Sequence, residues 1–142
     1  MRRDVVLILL IDEEGRFLLQ HRDDTAPTYP GYWGFFGGSI EDGETPLEAI
    51  RREAWEELRY TPAGTNPVLT IDYKNFKTGR SGRKFYFTEL CPDKDALQLY
   101  EGQNMGWFTL PEAQKLKIRD SNLAALESIL GLGSGKSSTA GS

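Results

Sequence analysis

Residues Gly38 to Tyr60 read GSIEDGETPLEAIRREAWEELRY, a glycine-led acidic turn running into a helix-forming segment. Thr45 and Glu48 have the spacing of a capping box and Pro46 takes the first helical position, which predicts a helix from there to about Arg59. At about 100° per residue, Leu47, Ile50, Ala54 and Leu58 fall on one stripe, the face to be buried. Glu53, Glu56 and Glu57 stand at i, i+3 and i+4, so three carboxylates project from one neighbouring sector. Local rules oppose this placement. Each like-charge pair costs roughly 0.2–0.5 kcal/mol on a solvated helix, and Glu56 and Glu57 face the negative end of the helix dipole. A trio set against both rules points to a functional site, although a solvated acidic face would bear penalties of that size.

The longer pattern weighs more. From Gly38, five residues lead to Glu44 and seven more to Arg52-Glu53, with Glu56-Glu57 closing the run. Six fixed residue types at about 6% background usage coincide in register by chance on the order of once per ten million starting points. The segment closely resembles the signature of the Nudix hydrolases. One fixed position departs: Arg59 stands where the family pattern has glycine, a residue suited to a left-handed helix end. The departure therefore bears on the helix exit rather than on the carboxylates.

The resemblance implies a fold of the α/β (α+β) class, an α/β/α sandwich with a mixed β-sheet between helices. It also implies hydrolysis of a diphosphate linkage in a nucleoside diphosphate derivative. Such a linkage is inert because its oxygens repel a nucleophile and the leaving phosphate carries charge, and a hard cation relieves both. In the family resembled, carboxylates matching Glu53, Glu56 and Glu57 bind the metal, helped by the backbone carbonyl matching Gly38. Oxygen ligands of this kind select Mg²⁺, with Mn²⁺ as a substitute, and no His/Cys cluster competes. Arg52 lies four residues after Glu48 and four before Glu56, so its planar fork can clamp carboxylates. Glu44 is expected to support the same site.

Family sites are often completed by a carboxylate from a distant loop, as metal ligand or general base. Glu101, in Tyr100-Glu101-Gly102-Gln103, resembles the Glu-Gly-Gln loop of bacterial 8-oxo-dGTP diphosphatases, which this chain resembles over most of residues 5–130. Arg22, at a strand end, is a candidate phosphate contact. Gly37 and Gly38, at the entry to the motif, are candidate substrate contacts with Trp33. Phe35, Trp107 and Phe108 read mainly as core, with base stacking open to any one of these aromatics, and Tyr29 and Tyr32 belong with them. His21 reads as a strand-end residue and Cys91 as structural.

The motif does not read the group attached to the diphosphate. Subclass marks for ADP-sugar and dinucleoside polyphosphate enzymes would fall near Lys74 to Lys77 and are absent. The Glu-Gly-Gln loop and the compact length lean toward a nucleoside triphosphate pyrophosphatase releasing a monophosphate and pyrophosphate. A nucleotide-sugar pyrophosphatase and a Nudix-fold binding module without turnover are the alternatives. An isoprenoid diphosphate isomerase on the same fold needs a catalytic cysteine, and Cys91 beside Pro92 stands outside any recognisable site. In the 8-oxo-dGTP enzymes an asparagine near the last helix reads the purine. Here the aligned region is Arg119-Asp120-Ser121-Asn122, in ambiguous register.

Composition bounds the rest. The chain has 142 residues, 39% hydrophobic and 27% charged, which fits one globular domain over residues 1–130. A net charge of −4 and a pI near 5.1 argue against a nucleic-acid polymer as partner and suit a small nucleotide met by metal ions and a few cations. One cysteine excludes an intrachain disulfide, and the apolar run Val5 to Ile11 is too short for a signal peptide or membrane span, so the cytoplasm is the expected compartment. A homodimer is common among proteins of the fold resembled.

Along the chain, strands are expected at Val5–Ile11 and Phe17–His21, joined as a hairpin through Asp12–Gly15. A loop follows over Asp23–Tyr32, then a short strand over Trp33–Phe36. Beyond the motif helix, Val68–Phe76 and Lys84–Leu90 read as paired strands, with a further strand near Trp107-Phe108. Thr109 and Glu112 form a second capping box, and Ser121–Leu130 reads as the final helix. Strands and helices interleave as in a sheet packed between helices. Gly131–Ser142 reads as a disordered Gly/Ser-rich tail; its Gly133–Ser137 fragment lacks the features of a phosphate-binding loop.

Overall fold

Val5–Ile11 has no polar face, and the chain buries both of its sides by making it the central strand, β1. The computed structural model describes residues 2–64 and 66–134. After β1 come β2 (Phe17–His21), β3 (Trp33–Gly34), β4 (Phe36–Ser39), α1 (Pro46–Leu58), β5 (Leu69–Lys74) and β6 (Ser81–Leu90). The chain then forms β7 (Asn104–Phe108), α2 (Leu110–Ala113) and α3 (Asp120–Ser134). One edge of β1 pairs in parallel with β6 along its whole length. Its other edge pairs with β2 only at Ile11↔Phe17 and with β4 from Val5↔Ser39 to Ile8↔Phe36. The opening hairpin therefore splays. β3 pairs with β2, β4 pairs with β1, and β7 closes the far edge of β2. The fork between β1 and β2 brings the glycine turn to the middle of the sheet.

The pleat sorts the core into two layers. Val6, Ile8 and Leu10 of β1, with Phe36 and Phe87, pack toward Ala49, Ile50 and Leu58 of α1. Leu9, Phe17, Leu19, Phe35 and Tyr86 pack toward Ala113, Ala125, Leu126 and Ile129 of α2 and α3. This is the expected sandwich with a mixed sheet between helices. Each of the fully buried aliphatic and aromatic side chains contributes roughly 1.5–3 kcal/mol. Cys91 belongs to the first layer, in agreement with a structural role.

Several boundaries differ from expectation for local reasons. The Trp33–Phe36 run breaks at Phe35, because its two halves serve different arms of the fork. β6 starts at Ser81 rather than Lys84: Arg3 N–H donates to the Ser81 carbonyl (2.7 Å) and Arg83 N–H to the Asp4 carboxylate (2.9 Å), which recruits residues 81–83 into the sheet. The turn from β5 shortens to residues 75–80. α3 starts one residue early and runs through Gly131 to Ser134, past the expected end at Leu130. A glycine's penalty of about 1 kcal/mol does not stop a helix that is already nucleated. The remainder of the expected tail, residues 135–142, lies outside the described residues.

Candidate active site

The Thr45–Glu48 capping box forms as expected and starts α1 at Pro46. Its last two turns lie against the end of β4, where two glycines allow unusually close approach. A Cβ on Gly37, whose φ is +150°, would collide with the Val6 carbonyl of the paired strand. A Cβ on Gly38 would sit 2.5–2.6 Å from the Glu53 carboxylate. The Gly37 N–H donates to Glu57 Oε1 at 3.0 Å. Strand end and helix are thus joined through the two carboxylates themselves.

The three motif glutamates do not share one environment. Glu57 is 2% exposed, whereas the side chains of Glu53 and Glu56 are 14% and 56% exposed. Glu57 lies seven residues after Ile50 and so returns almost to the buried stripe. Burial, a carboxyl–carboxyl hydrogen bond with Glu53 and the charges of Glu101 and Glu53 push the Glu57 pKa far up, against the pull of the Gly37 N–H. Crowded carboxylate oxygens that outnumber the one guanidinium beside them, that of Arg52, have the hardness and charge that suit a divalent ion. Among the described residues no three acidic, His or Cys side chains already stand as a formed metal-holding group. The donors are neighbours that need side-chain adjustment to close on an ion.

Arg52 organises the outer side of this cluster. Its Nε and Nη2 reach the two Glu44 carboxylate oxygens at 2.7 and 3.0 Å, a bidentate pair. Nη1 donates to Glu53 Oε2 at 2.7 Å and to Glu56 Oε1 at 3.4 Å, and Nη2 also reaches the Ser39 carbonyl at 3.0 Å. The expected clamp on Glu48 is not made, because Glu48 is engaged in the capping box and Glu44 takes its place. The Arg52 guanidinium, with the Glu41 N–H, holds the Glu44 carboxyl down at about 2.

Glu101 is brought to the cluster from the far end of the chain. Gln98 N–H and Tyr100 N–H donate to the Leu58 and Glu57 carbonyls (3.0 and 2.8 Å), satisfying the open end of α1. Gly102 then passes over the His21 carbonyl at φ +93°, and Gln103 N–H donates to that carbonyl at 2.9 Å. The buried Gln20 amide donates to the Glu101 carbonyl at 3.1 Å and to its carboxylate at 3.5 Å.

Arg22 and Trp33 stand apart from the carboxylates, lining a cavity of about 580 Å³ on the α3 side of the sheet. Trp33 is stacked flat on His21 (4.4 Å between ring centroids), and Arg22 is bonded to the Thr28 carbonyl and hydroxyl. Gln20 lines the same cavity, so it connects the cavity wall to the Glu101 loop. The sequence reading missed Gln20 and Lys84 as lining residues. A glutamine inside the apolar β2 run and a lysine among the aromatics of β6 were the available signals. Arg119, Ser121 and Asn122 all line the cavity, so of the four residues in the ambiguous register only Asp120 stands outside the wall.

Comparison with known proteins agrees with this architecture. A model of the NUDIX domain matches residues 1–127. The nucleoside triphosphatase NudI of Salmonella agona is 29% identical over 133 residues, covering 87% of this chain and 92% of that protein. The crystal structure of the MutT protein from Methanosarcina mazei superposes with a TM-score of 0.79 at 21% identity, over 95% of this chain and 96% of that one. The NUDIX domain of Shewanella oneidensis NrtR, solved with ADP ribose, gives 0.76 at 18% identity, over 93% and 88%. Sheet, glycine turn and glutamate helix are accounted for together by one conclusion: this chain belongs to the Nudix hydrolase family.

Proposed function

We propose that the chain is a Mg²⁺-dependent nucleoside triphosphate pyrophosphatase releasing a nucleoside monophosphate and pyrophosphate. The observation that carries this reading is the meeting of Glu53, Glu57 and Glu101 at the Gly37–Gly38 turn, with Gln20 connecting Glu101 to a cavity sized for a nucleoside. The similarity to a nucleoside triphosphatase over nearly the whole chain supports the choice of substrate.

Members of the family use divalent metal ions. Here Glu53, Glu56 and Glu57, with the Gly38 carbonyl, would hold the ion. When bound, such an ion neutralises phosphate oxygens and acidifies a water molecule. The chain's own groups do the rest. Glu44 holds Arg52, which fixes Glu53; the cavity positions the nucleoside, and Glu101, oriented by Gln20, accepts the proton of the attacking water. The water oxygen bonds to phosphorus as the anhydride P–O bond breaks, and the bridging oxygen leaves with pyrophosphate.

The test is pyrophosphate release with Mg²⁺ from nucleoside triphosphates, against nucleotide sugars and dinucleoside polyphosphates. Triphosphates are expected to turn over. Glu57→Gln, which keeps an acceptor for Gly37 N–H but cannot ionise to meet a cation, is expected to lose at least about a hundredfold in kcat. Equal rates for Glu57→Gln and the parent would remove the carboxylates from the reaction.

A further inference from the structure

The chain carries a net charge of −4, yet the cavity on the α3 side of the sheet is lined by six cations: Arg22, Lys74, Lys77, Arg80, Lys84 and Arg119. Among the described residues no carboxylate lines it. Asp120, between two lining residues, is exposed and is not part of the wall. Two of the cations are held in place without an acid. Lys84 rests over the Tyr73 ring at 5.2 Å, and Arg119 lies over the Tyr29 ring at 3.9 Å. Tyr29 adopts a left-handed backbone, φ +47°, a conformation that costs a non-glycine residue of order 1 kcal/mol and recurs at ligand sites. Burial and the charge of Arg119 both lower the Lys84 pKa, so the two ammonium and guanidinium charges are close enough to repel.

Lys84 does not face the motif glutamates. Lys84 pairs with Val5 and shares the pleat of Tyr86, which packs in the α3-side layer. Glu53 and Glu57 belong to α1, on the other side of the sheet. A neutral base could accept hydrogen bonds from this wall but would leave its charge uncompensated, whereas a phosphomonoester dianion meets both needs. We propose that the cavity selects nucleotides carrying a second phosphate, separate from the diphosphate that is cleaved, and that Lys84 and Arg119 hold it. This deepens the hydrolase reading by naming a substrate class, and it rests on that reading for the reaction alone.

The test is calorimetric titration of the full chain, without turnover, using nucleoside 5′-monophosphates and the matching 2′,5′- and 3′,5′-bisphosphates. At least one bisphosphate is expected to bind about tenfold or more tightly than its monophosphate, and the 2′ and 3′ arms report which position is read. Lys84→Met keeps the aliphatic stem and is expected to bring that ratio close to one, as is Arg119→Gln. Thermal unfolding of both variants checks the fold. Equal affinity for all three nucleotides overturns the proposal, as does a preference that survives both substitutions. Triphosphate hydrolysis with no gain from a second phosphate defeats this subsite and leaves the reaction standing. A phosphate-dependent gain without cleavage of any diphosphate does the reverse.

Discussion

Arg59 shows how one residue can replace the family glycine. It occupies the left-handed C-cap of α1 at φ 55° and ψ 39°, which costs an L-residue about 1–2 kcal/mol. Its guanidinium returns part of that cost. Nη1 donates to the Trp55 and Glu56 carbonyls at 2.9 and 3.2 Å, and the group lies 3.8 Å from the centroid of the Tyr100 ring. The same turn carries Glu56, and Tyr100 precedes Glu101, so the cap fixes both flanks of the carboxylate cluster. Arg59→Ala keeps the backbone strain and loses the cap, so it should cost about 1 kcal/mol. Arg59→Gly loses the same contacts but relieves the strain, so its melting temperature should stay closer to the parent's. If Arg59→Ala melts as high as the parent, the guanidinium contributes nothing; if it melts as high as Arg59→Gly, the left-handed backbone carries no strain.

At the scale of elements, the Glu44–Arg52 pair ties the acidic turn to α1 and, through Ser39, both to the end of β4. Glu44 itself is not in the carboxylate cluster; it sets the fork that orients Glu53. Glu44→Gln should therefore lower kcat about 10–100-fold, with a smaller effect on KM. Because Arg52 holds the Glu44 carboxyl at about 2, Glu44 stays charged throughout the neutral range and should leave the shape of the pH–rate profile unchanged. A shifted acid limb in Glu44→Gln would mean that it titrates in the reaction. The helix and its cap were legible because they are local: Thr45, Pro46, Glu48 and the apolar stripe act within a few residues. The unequal burial of the glutamates was legible only in part. The seven-residue step from Ile50 to Glu57 was available, but what lies over that stripe depends on β4, which the sequence does not show. Arg52's choice of Glu44 over Glu48 likewise depended on the capping box having claimed Glu48.

For the whole molecule, the splayed β1–β2 fork and the cationic cavity were the least legible features, since both come from pairings between distant segments. Strand signals in Val5–Ile11 and Phe17–His21 imply a hairpin, and nothing local says that β4 displaces β2 after one residue pair. What holds the closed end of that fork is equally long-range. Asp12 is buried at the hairpin turn, where Oδ1 accepts the Glu14 and Arg16 N–H groups (both 2.9 Å) and Oδ2 meets Lys94 Nζ at 2.9 Å. Lys94 follows β6, so this pair joins the first hairpin to the segment leading to Glu101. Burial raises the Asp12 pKa, but the Lys94 ammonium and the two backbone donors outweigh it, and the net shift is downward. A depressed folded-state pKa means stability present above the unfolded carboxyl's value, about 4, and lost as pH falls through the folded one. Asp12→Asn keeps an acceptor for the turn but removes the charge. It should cost about 1 kcal/mol at pH 7, a drop of a few degrees in melting temperature. The gap to the parent should narrow as pH falls below about 4. Thermal unfolding of both proteins from pH 7 to pH 3 checks this, and a gap that stays constant would show that the Asp12 charge does not stabilise the joint between hairpin and loop.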